Sequence, residues 1–326
     1  MAVSTSTETL KVRVAKVTPE TDTIKRFELV ALDGGELPAF TAGAHVNVIT
    51  DAGMARSYSL ANDPTERSRY LLGVLREPES RGGSEWMHES VSEGMELEIT
   101  LPRNNFELRE DGRSHVLIAG GVGITPLLSM AHRLKAIGAE FTLHYCTKFA
   151  EQTAFREEVS AVCGDRAVFH HDGGDPDEGI QLEQVLMDPP EDGHLYVCGP
   201  GGLLQATRML ADAFEWPEEH VHFELFSAQR SGDELSNDPF TVYLQKSERE
   251  LEVPADKTLL QVLREAGYEI ESFCEEGICS TCETAVVSGN IEHRDDVLSD
   301  DEKACNDRMM VCVSRAPAGE RVVLDL

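Results

Sequence analysis

The sequence predicts a multidomain chain: an antiparallel β-barrel, then an α/β domain on a parallel sheet, then a small α+β domain. Three observations predict this. Short alternating apolar stretches fill residues 10–108, and strand and helix patterns then alternate over residues 114–228. A polar stretch, QRSGDELSND at 229–238, separates both from a C-terminal segment with three closely spaced cysteines. The predicted boundaries are therefore 1–110, 111–228, a linker at 229–238, and 239–326.

In the first segment KVRVAKV, IKRFELV, HVNVIT, RYLLGVL and MELEITL read as short strands, with Gly34-Gly35, Pro38, Gly53 and Pro102 as turn signals. Many short strands with frequent turns suit a closed antiparallel barrel. In the second, HVLIAG, EFTLHYC, AVFHH and HLYVCG read as apolar strands. Between and after them ITPLLSMAHRLKAIG, TAFREEVSAV and LLQATRMLADAF carry helical spacing. The third segment opens with FTVYLQKSERELEVP, two strands around a polar turn, and continues with TLLQVLREAG, a short helix closed by Gly267.

The 326 residues are 41% hydrophobic and 27% charged, enough for several separate cores. No apolar run reaches 18 residues, so no membrane span is expected. The start, MAVSTSTETL, has neither the basic nor the apolar part of a secretion signal. The expected compartment is the cytoplasm, where thiols stay reduced and clustered cysteines bind metal more often than they form disulfides. Acidic side chains number 59 against 29 basic ones, a formal charge of -30, which disfavours nucleic acid as a partner. Such a surface serves solubility, or docking to an electron-transfer partner with a basic face.

The stretch CEEGICSTC holds Cys274, Cys279 and Cys282, with Cys312 thirty residues further on. A C-x4-C-x2-C loop completed by a distant cysteine is the plant-type spacing of a [2Fe–2S] cluster. Zinc, the alternative, usually takes two separate paired knuckles, and the second half offers only Cys305 beside Cys312. Cys146, Cys163, Cys198 and Cys305 read by default as inert thiols. The 11 histidines show no metal spacing.

Four further motifs stand upstream: RSYSL from Arg56, RGGS at 81–84, AGGVGITP at 119–126 and CGPGG from Cys198. Together, and in this order, they resemble the ferredoxin–NADP reductase superfamily. With the C-terminal ferredoxin-like segment, the chain from about Leu10 to Leu326 resembles the phthalate dioxygenase reductase family. The resemblance implies a flavin-binding barrel, an NAD-binding α/β domain and a plant-type ferredoxin domain. It assigns Arg56, Ser57, Tyr58 and Ser59 to the flavin, with the Arg56 fork on its phosphate and the Tyr58 ring on its plane. Arg81, Gly82, Gly83 and Ser84 are assigned to the terminal phosphate of FMN, as a nest of amides at a helix start with Ser84 as N-cap.

Gly120, Gly121, Gly123 and Thr125 are assigned to the nicotinamide dinucleotide at a strand-to-helix turn. Cys198, Gly199 and Pro200 end another strand on the same carboxyl edge, beside the place of the nicotinamide. Phe226 aligns with the aromatic residue that covers the flavin face, the alternative being a core phenylalanine. Ser59, Cys198 and Phe226 thus surround the reacting atoms. Asp172, at the end of AVFHH, is placed to accept from an adenosine ribose hydroxyl; no arginine pair follows Tyr145, which favours NADH over NADPH. Cys274, Cys279, Cys282 and Cys312 are the expected cluster ligands.

The implied function is electron transfer from NADH through FMN and the cluster to a terminal Rieske-type oxygenase. A cytochrome P450 partner and a non-catalytic redox-sensing role are the rival readings. A single chain holds the whole path, so a monomer suffices.

Overall fold

The computed structural model describes residues 8–51, 53–78, 82–226 and 237–326. Contacts divide the chain into two units, Met1–Phe226 and Ser227–Leu326.

The first unit opens with strands β1 (Thr9–Pro19), β2 (Ile24–Ala31), β3 (His45–Ile49), β4 (Ala55–Ser59) and β5 (Tyr70–Leu75), helix α1 (Gly83–Glu89) and strand β6 (Glu96–Thr100). The strands pair antiparallel in the order β4-β3-β6-β1-β2-β5. A bridge between Leu60 and Leu72 joins the two ends of this sheet, so the expected barrel forms. Period-two alternation sends Val12, Val14, Phe27, Leu29, Val46, Val48, Leu97 and Ile99 into one buried cluster. Each such side chain contributes roughly 1.5–3 kcal/mol by leaving water.

The same unit continues as β7 (Ser114–Gly120), α2 (Ile124–Ile137), β8 (Glu140–Thr147), α3 (Arg156–Cys163), β9 (Ala167–His171), α4 (Leu182–Leu186), β10 (Gly193–Cys198), α5 (Gly201–Ala213) and β11 (Val221–Glu224). The sheet order is β11-β10-β7-β8-β9, every neighbour parallel. Helix α3 begins at Arg156, later than TAFREEVSAV predicts. Phe155 is buried in the left-handed region at φ 54, and its N–H donates to Glu20 Oε2 of the barrel at 2.7 Å. The barrel and the sheet share a core: Ile24, Ala42, Ala61, Leu71 and Phe106 pack with Leu117, Leu127, Phe141 and Phe155. Arg26 of β2 adds ion pairs to Glu20 and Glu158, each at 2.5 Å. None of the helices among the described residues is long and apolar enough to cross a membrane.

The second unit contains β12 (Phe240–Leu244), β13 (Arg249–Val253), α6 (Leu259–Glu265), β14 (Glu283–Ser288), α7 (Asp300–Cys305), β15 (Arg308–Met310) and β16 (Arg321–Leu324). They form a mixed sheet, β13-β12-β16-β14-β15, over an apolar core that includes Leu259, Leu263, Met309 and Met310. Thr258 and Gln261 close a reciprocal capping box at the start of α6, and Gly267 follows its end at φ 92. Of the expected linker, 229–236 lies outside the described residues.

Candidate functional site

Strand β4 carries the RSYSL motif along one side of the barrel. Arg56 lies over the start of α1, where a Cβ on Gly83 would fall 2.4 Å from Arg56 Cγ. The Arg56 side chain therefore packs directly on the glycine backbone at the helix start, with its fork donating to the Ala55 carbonyl and Met54 Sδ. Gly82, at φ 96, is the N-cap of α1; the expectation that Ser84 caps the helix is wrong. Ser84 lies inside the first turn, and its Oγ accepts from Glu77 N at 3.2 Å. Arg81 lies outside the described residues. The cationic fork and glycine-lined amides are the chemistry an FMN phosphate requires.

Further along β4, Ser57 Oγ donates to Asn47 Oδ1 at 2.6 Å. Tyr58 is half-buried, and desolvation pushes its hydroxyl above the usual phenol range. Ser59 is buried, and its Oγ donates to Glu224 Oε2 at 3.2 Å. This bond joins the barrel to the last residue of β11.

Glu224 is a residue at this boundary that the sequence reading did not single out. It pairs in register with Cys198, which is fully buried at the end of β10. Desolvation raises the Glu224 carboxyl to about 8, the Ser59 hydrogen bond opposing this. Cys198 is pushed well above the ordinary thiol range, first by burial and then by the charge of Glu224, so it stands as a neutral thiol. Phe226, two residues beyond, is 41% exposed and is no core phenylalanine. The signal in the sequence was an acid enclosed in the apolar run HFELF.

The glycine turn has a different logic at each position. A Cβ on Gly123 would fall 2.2 Å from the Cys198 carbonyl oxygen, and one on Gly120 3.2 Å from Gly199 Cα and 2.5 Å from Pro200 Cδ. Gly120, Gly123, Gly199 and Pro200 thus bring the β7 and β10 loops into contact. Gly121, at φ 54, has open space where a Cβ would point, and its carbonyl accepts from Tyr145 Oη at 3.0 Å. That leaves a glycine turn open at the carboxyl edge, as a dinucleotide phosphate needs. Thr125 is buried, its hydroxyl donating to the Val122 carbonyl at 3.0 Å and its methyl directed at Gly73 of the barrel. Asp172 stands apart, past the end of the edge strand β9, where its Oδ1 accepts from Gly174 N at 2.7 Å.

In the second unit the cysteine loop has left-handed backbone at Glu275 (φ 54), Gly277 (φ 77) and Ser280 (φ 57). Such turns aim successive amides inward. Glu276 N donates to Cys274 Sγ at 3.4 Å, and the Thr281 hydroxyl donates to the Cys279 carbonyl at 3.3 Å. The cysteines are neighbours in two pairs, Cys274 with Cys279 and Cys282 with Cys312. The partner thiol lowers Cys279 and Cys282, while Cys274 and Cys312 rise beside them. Among the described residues no three His, Cys, Asp or Glu side chains are placed to hold one metal ion. Two pairs of neighbouring cysteines, drawn from one loop and Cys312, fit a two-iron cluster with two thiolates per iron.

A flavin-type barrel packed on a parallel nucleotide-binding sheet, followed by a plant-type cysteine loop, defines an electron-transfer oxidoreductase. Family models match residues 117–209 as an oxidoreductase NAD-binding domain and residues 242–317 as a 2Fe-2S iron-sulfur cluster binding domain. The chain is 44% identical over 309 residues to the vanillate O-demethylase oxidoreductase of Pseudomonas putida, covering 94% of this chain and 96% of that one. A solved phthalate dioxygenase reductase, described as modular for electron transfer from pyridine nucleotides to [2Fe-2S], superposes with TM-score 0.76. It is 42% identical, with 98% of each chain covered. An intact type IV self-sufficient cytochrome P450 monooxygenase superposes with TM-score 0.83 at 36% identity; the match covers 98% of this chain but 41% of that one. The chain belongs to the phthalate dioxygenase reductase family.

Proposed function

We propose that this protein is the NADH-dependent reductase component of a Rieske-type oxygenase, using FMN and a [2Fe–2S] cluster. The observation that carries this reading is the Ser59–Glu224 bond, 3.2 Å across the boundary between barrel and parallel sheet. It brings a buried hydroxyl of the flavin-type barrel onto the carboxyl edge where nicotinamide nucleotides bind.

When bound, the flavin supplies the conversion of a hydride pair into single electrons, which the cluster relays. The chain supplies position and electrostatics. Arg56 with Gly82 and Gly83 grips the FMN phosphate, and Tyr58 and Phe226 offer flat faces to the ring. Gly121, with Gly120 and Gly123 behind it, admits the dinucleotide phosphates, while Asp172 accepts from the adenosine ribose. Glu224, Ser59 and Cys198 exclude water beside the nicotinamide, and Glu224 sets the local charge. Cys274, Cys279, Cys282 and Cys312 hold the cluster.

We read residues 1–110 as the FMN domain, 111–228 as the NAD domain, 229–238 as the linker and 239–326 as the ferredoxin domain. The protein works in the cytoplasm as a monomer. A cytochrome P450 partner is the second reading, favoured by the resemblance to the reductase portion of the self-sufficient P450. The test is reconstitution of the purified chain with a Rieske oxygenase or a P450 and their substrates. NADH-driven product formation with the P450 alone overturns the primary reading.

A further inference from the structure

Helix α6 is tied to the cysteine loop through one side chain. Arg264, in the last turn of α6, donates from Nη1 to Glu275 Oε1 at 2.8 Å and from Nη2 to the Ser272 hydroxyl. Ser272 Oγ in turn donates to the same Glu275 Oε1 at 2.8 Å, which closes a triangle of three side chains. Ser272 and Glu275 stand on either side of Cys274, so the triangle brackets the first cysteine of the loop.

The two ends of this tie differ in kind. Leu259, Leu260, Val262 and Leu263 bury α6 in the core, which makes the helix a rigid anchor. Glu275, at φ 54, lies in the left-handed region, where a residue with a Cβ is strained unless its surroundings hold it. The turn has a direct consequence one residue on, where Glu276 N donates to Cys274 Sγ at 3.4 Å. Both charged side chains are 43% exposed, so Coulomb attraction between them is weak. Geometry is what the triangle contributes: one guanidinium fork fixes the chain before and after the sulfur.

We propose that Arg264 and Ser272 are positioning residues that hold Glu275 in its left-handed turn, keep the Glu276 amide on the Cys274 sulfur, and so retain the cluster and raise its reduction potential. The proposal rests on the reading of the four cysteines as cluster ligands. An N–H donated to a thiolate sulfur draws electron density from it and favours the added electron. Without the triangle, Glu275 relaxes towards ordinary backbone and turns that amide away. Glycine at 275 adopts the left-handed turn freely and has no need of the triangle.

The experiment uses the full chain as wild type, Ser272→Ala, Arg264→Gln, Glu275→Gly and the double variant Arg264→Gln/Glu275→Gly. Visible absorption followed in the presence of an iron chelator reports cluster loss. Redox titration followed by electron paramagnetic resonance reports the midpoint potential. Ser272→Ala changes no charge; it should lose the cluster faster and titrate lower than wild type. Arg264→Gln should lose the cluster roughly tenfold faster than wild type, the factor that left-handed strain corresponds to. The same substitution should leave the loss rate of Glu275→Gly unchanged and lower its potential by much less. The charge removed is identical in the two backgrounds, so the difference in potential reports the amide and not the charge. Equal effects of Arg264→Gln in both backgrounds overturn the proposal, as does failure of both to load. A Ser272→Ala protein with the loss rate and potential of wild type also overturns it. Wild-type protein without a two-iron signal would refute the ligand reading and this proposal with it.

Discussion

Replacing Glu224 by glutamine tests the boundary between barrel and sheet most directly. The carboxyl titrates near 8 in the folded chain, against an ordinary value of 4.5, because desolvation disfavours its charge. A raised carboxylate leaves stability intact below pH 4.5. Stability is then lost as pH rises towards 8 and stays level above it. At 1.36 kcal/mol per pH unit, the ionisation costs about 2 kcal/mol at pH 6 and roughly 5 kcal/mol at pH 9. Glutamine keeps the shape and the contact to Ser59 but has nothing to ionise. The variant should therefore gain about 3 kcal/mol on wild type between pH 6 and pH 9, on the order of 5–10 °C in melting temperature. Calorimetry of both proteins at the two pH values measures this. A melting difference that does not change with pH refutes the desolvated carboxyl. On the proposed reading, the same ionisation would put a negative charge beside the bound nicotinamide, whose chemistry is to give up a hydride. NADH oxidation with ferricyanide should accordingly rise with pH through about 8 in wild type and flatten in Glu224→Gln.

Arg56→Ala should weaken FMN retention about 10- to 100-fold, because a charge-assisted bond worth roughly 1.5–3 kcal/mol is lost; fluorescence of flavin released on dilution measures it. The heat-released flavin should be FMN, and finding FAD would overturn the terminal-phosphate role of the Gly82–Gly83 cradle. Gly123→Ala forces a methyl to 2.2 Å from the Cys198 carbonyl, and should cost about 1–3 kcal/mol and raise KM for NADH. Gly202→Ala has open space and should be neutral or slightly stabilising, which makes it the control for the melting assay. Cys279→Ala should abolish the cluster's visible absorption and cytochrome c reduction while ferricyanide reduction persists. Equal loss of both activities would contradict the separate roles of the two units.

Legibility in the sequence followed how local each cause is. The barrel strands announced themselves because Val12, Val14, Val46 and Val48 alternate with exposed or paired neighbours, a period that the backbone alone imposes. The cysteine spacing was equally local, since a short loop must wrap a cluster with its own amides. Strand β11 and helix α4 went unread because four and five residues are too few to show a period. The RGGS turn misled differently: serine is a strong N-cap, yet the close approach of Arg56 demanded Gly83 and moved the cap to the left-handed Gly82.

The candidate site was half legible for the same reason. Arg56, Gly123 and Cys198 sit in motifs whose chemistry is written in adjacent residues. Glu224 does not, because its partner Ser59 lies on another sheet and its perturbation comes from burial that only the shared core creates. The same holds for Gly277, Asp295 and Ser314, three residues on three separate segments that pack against one another. Local sequence states which groups can touch a cofactor. The groups that set the charge around it are supplied by packing, so they are where substitutions should change energetics while leaving the cofactors in place.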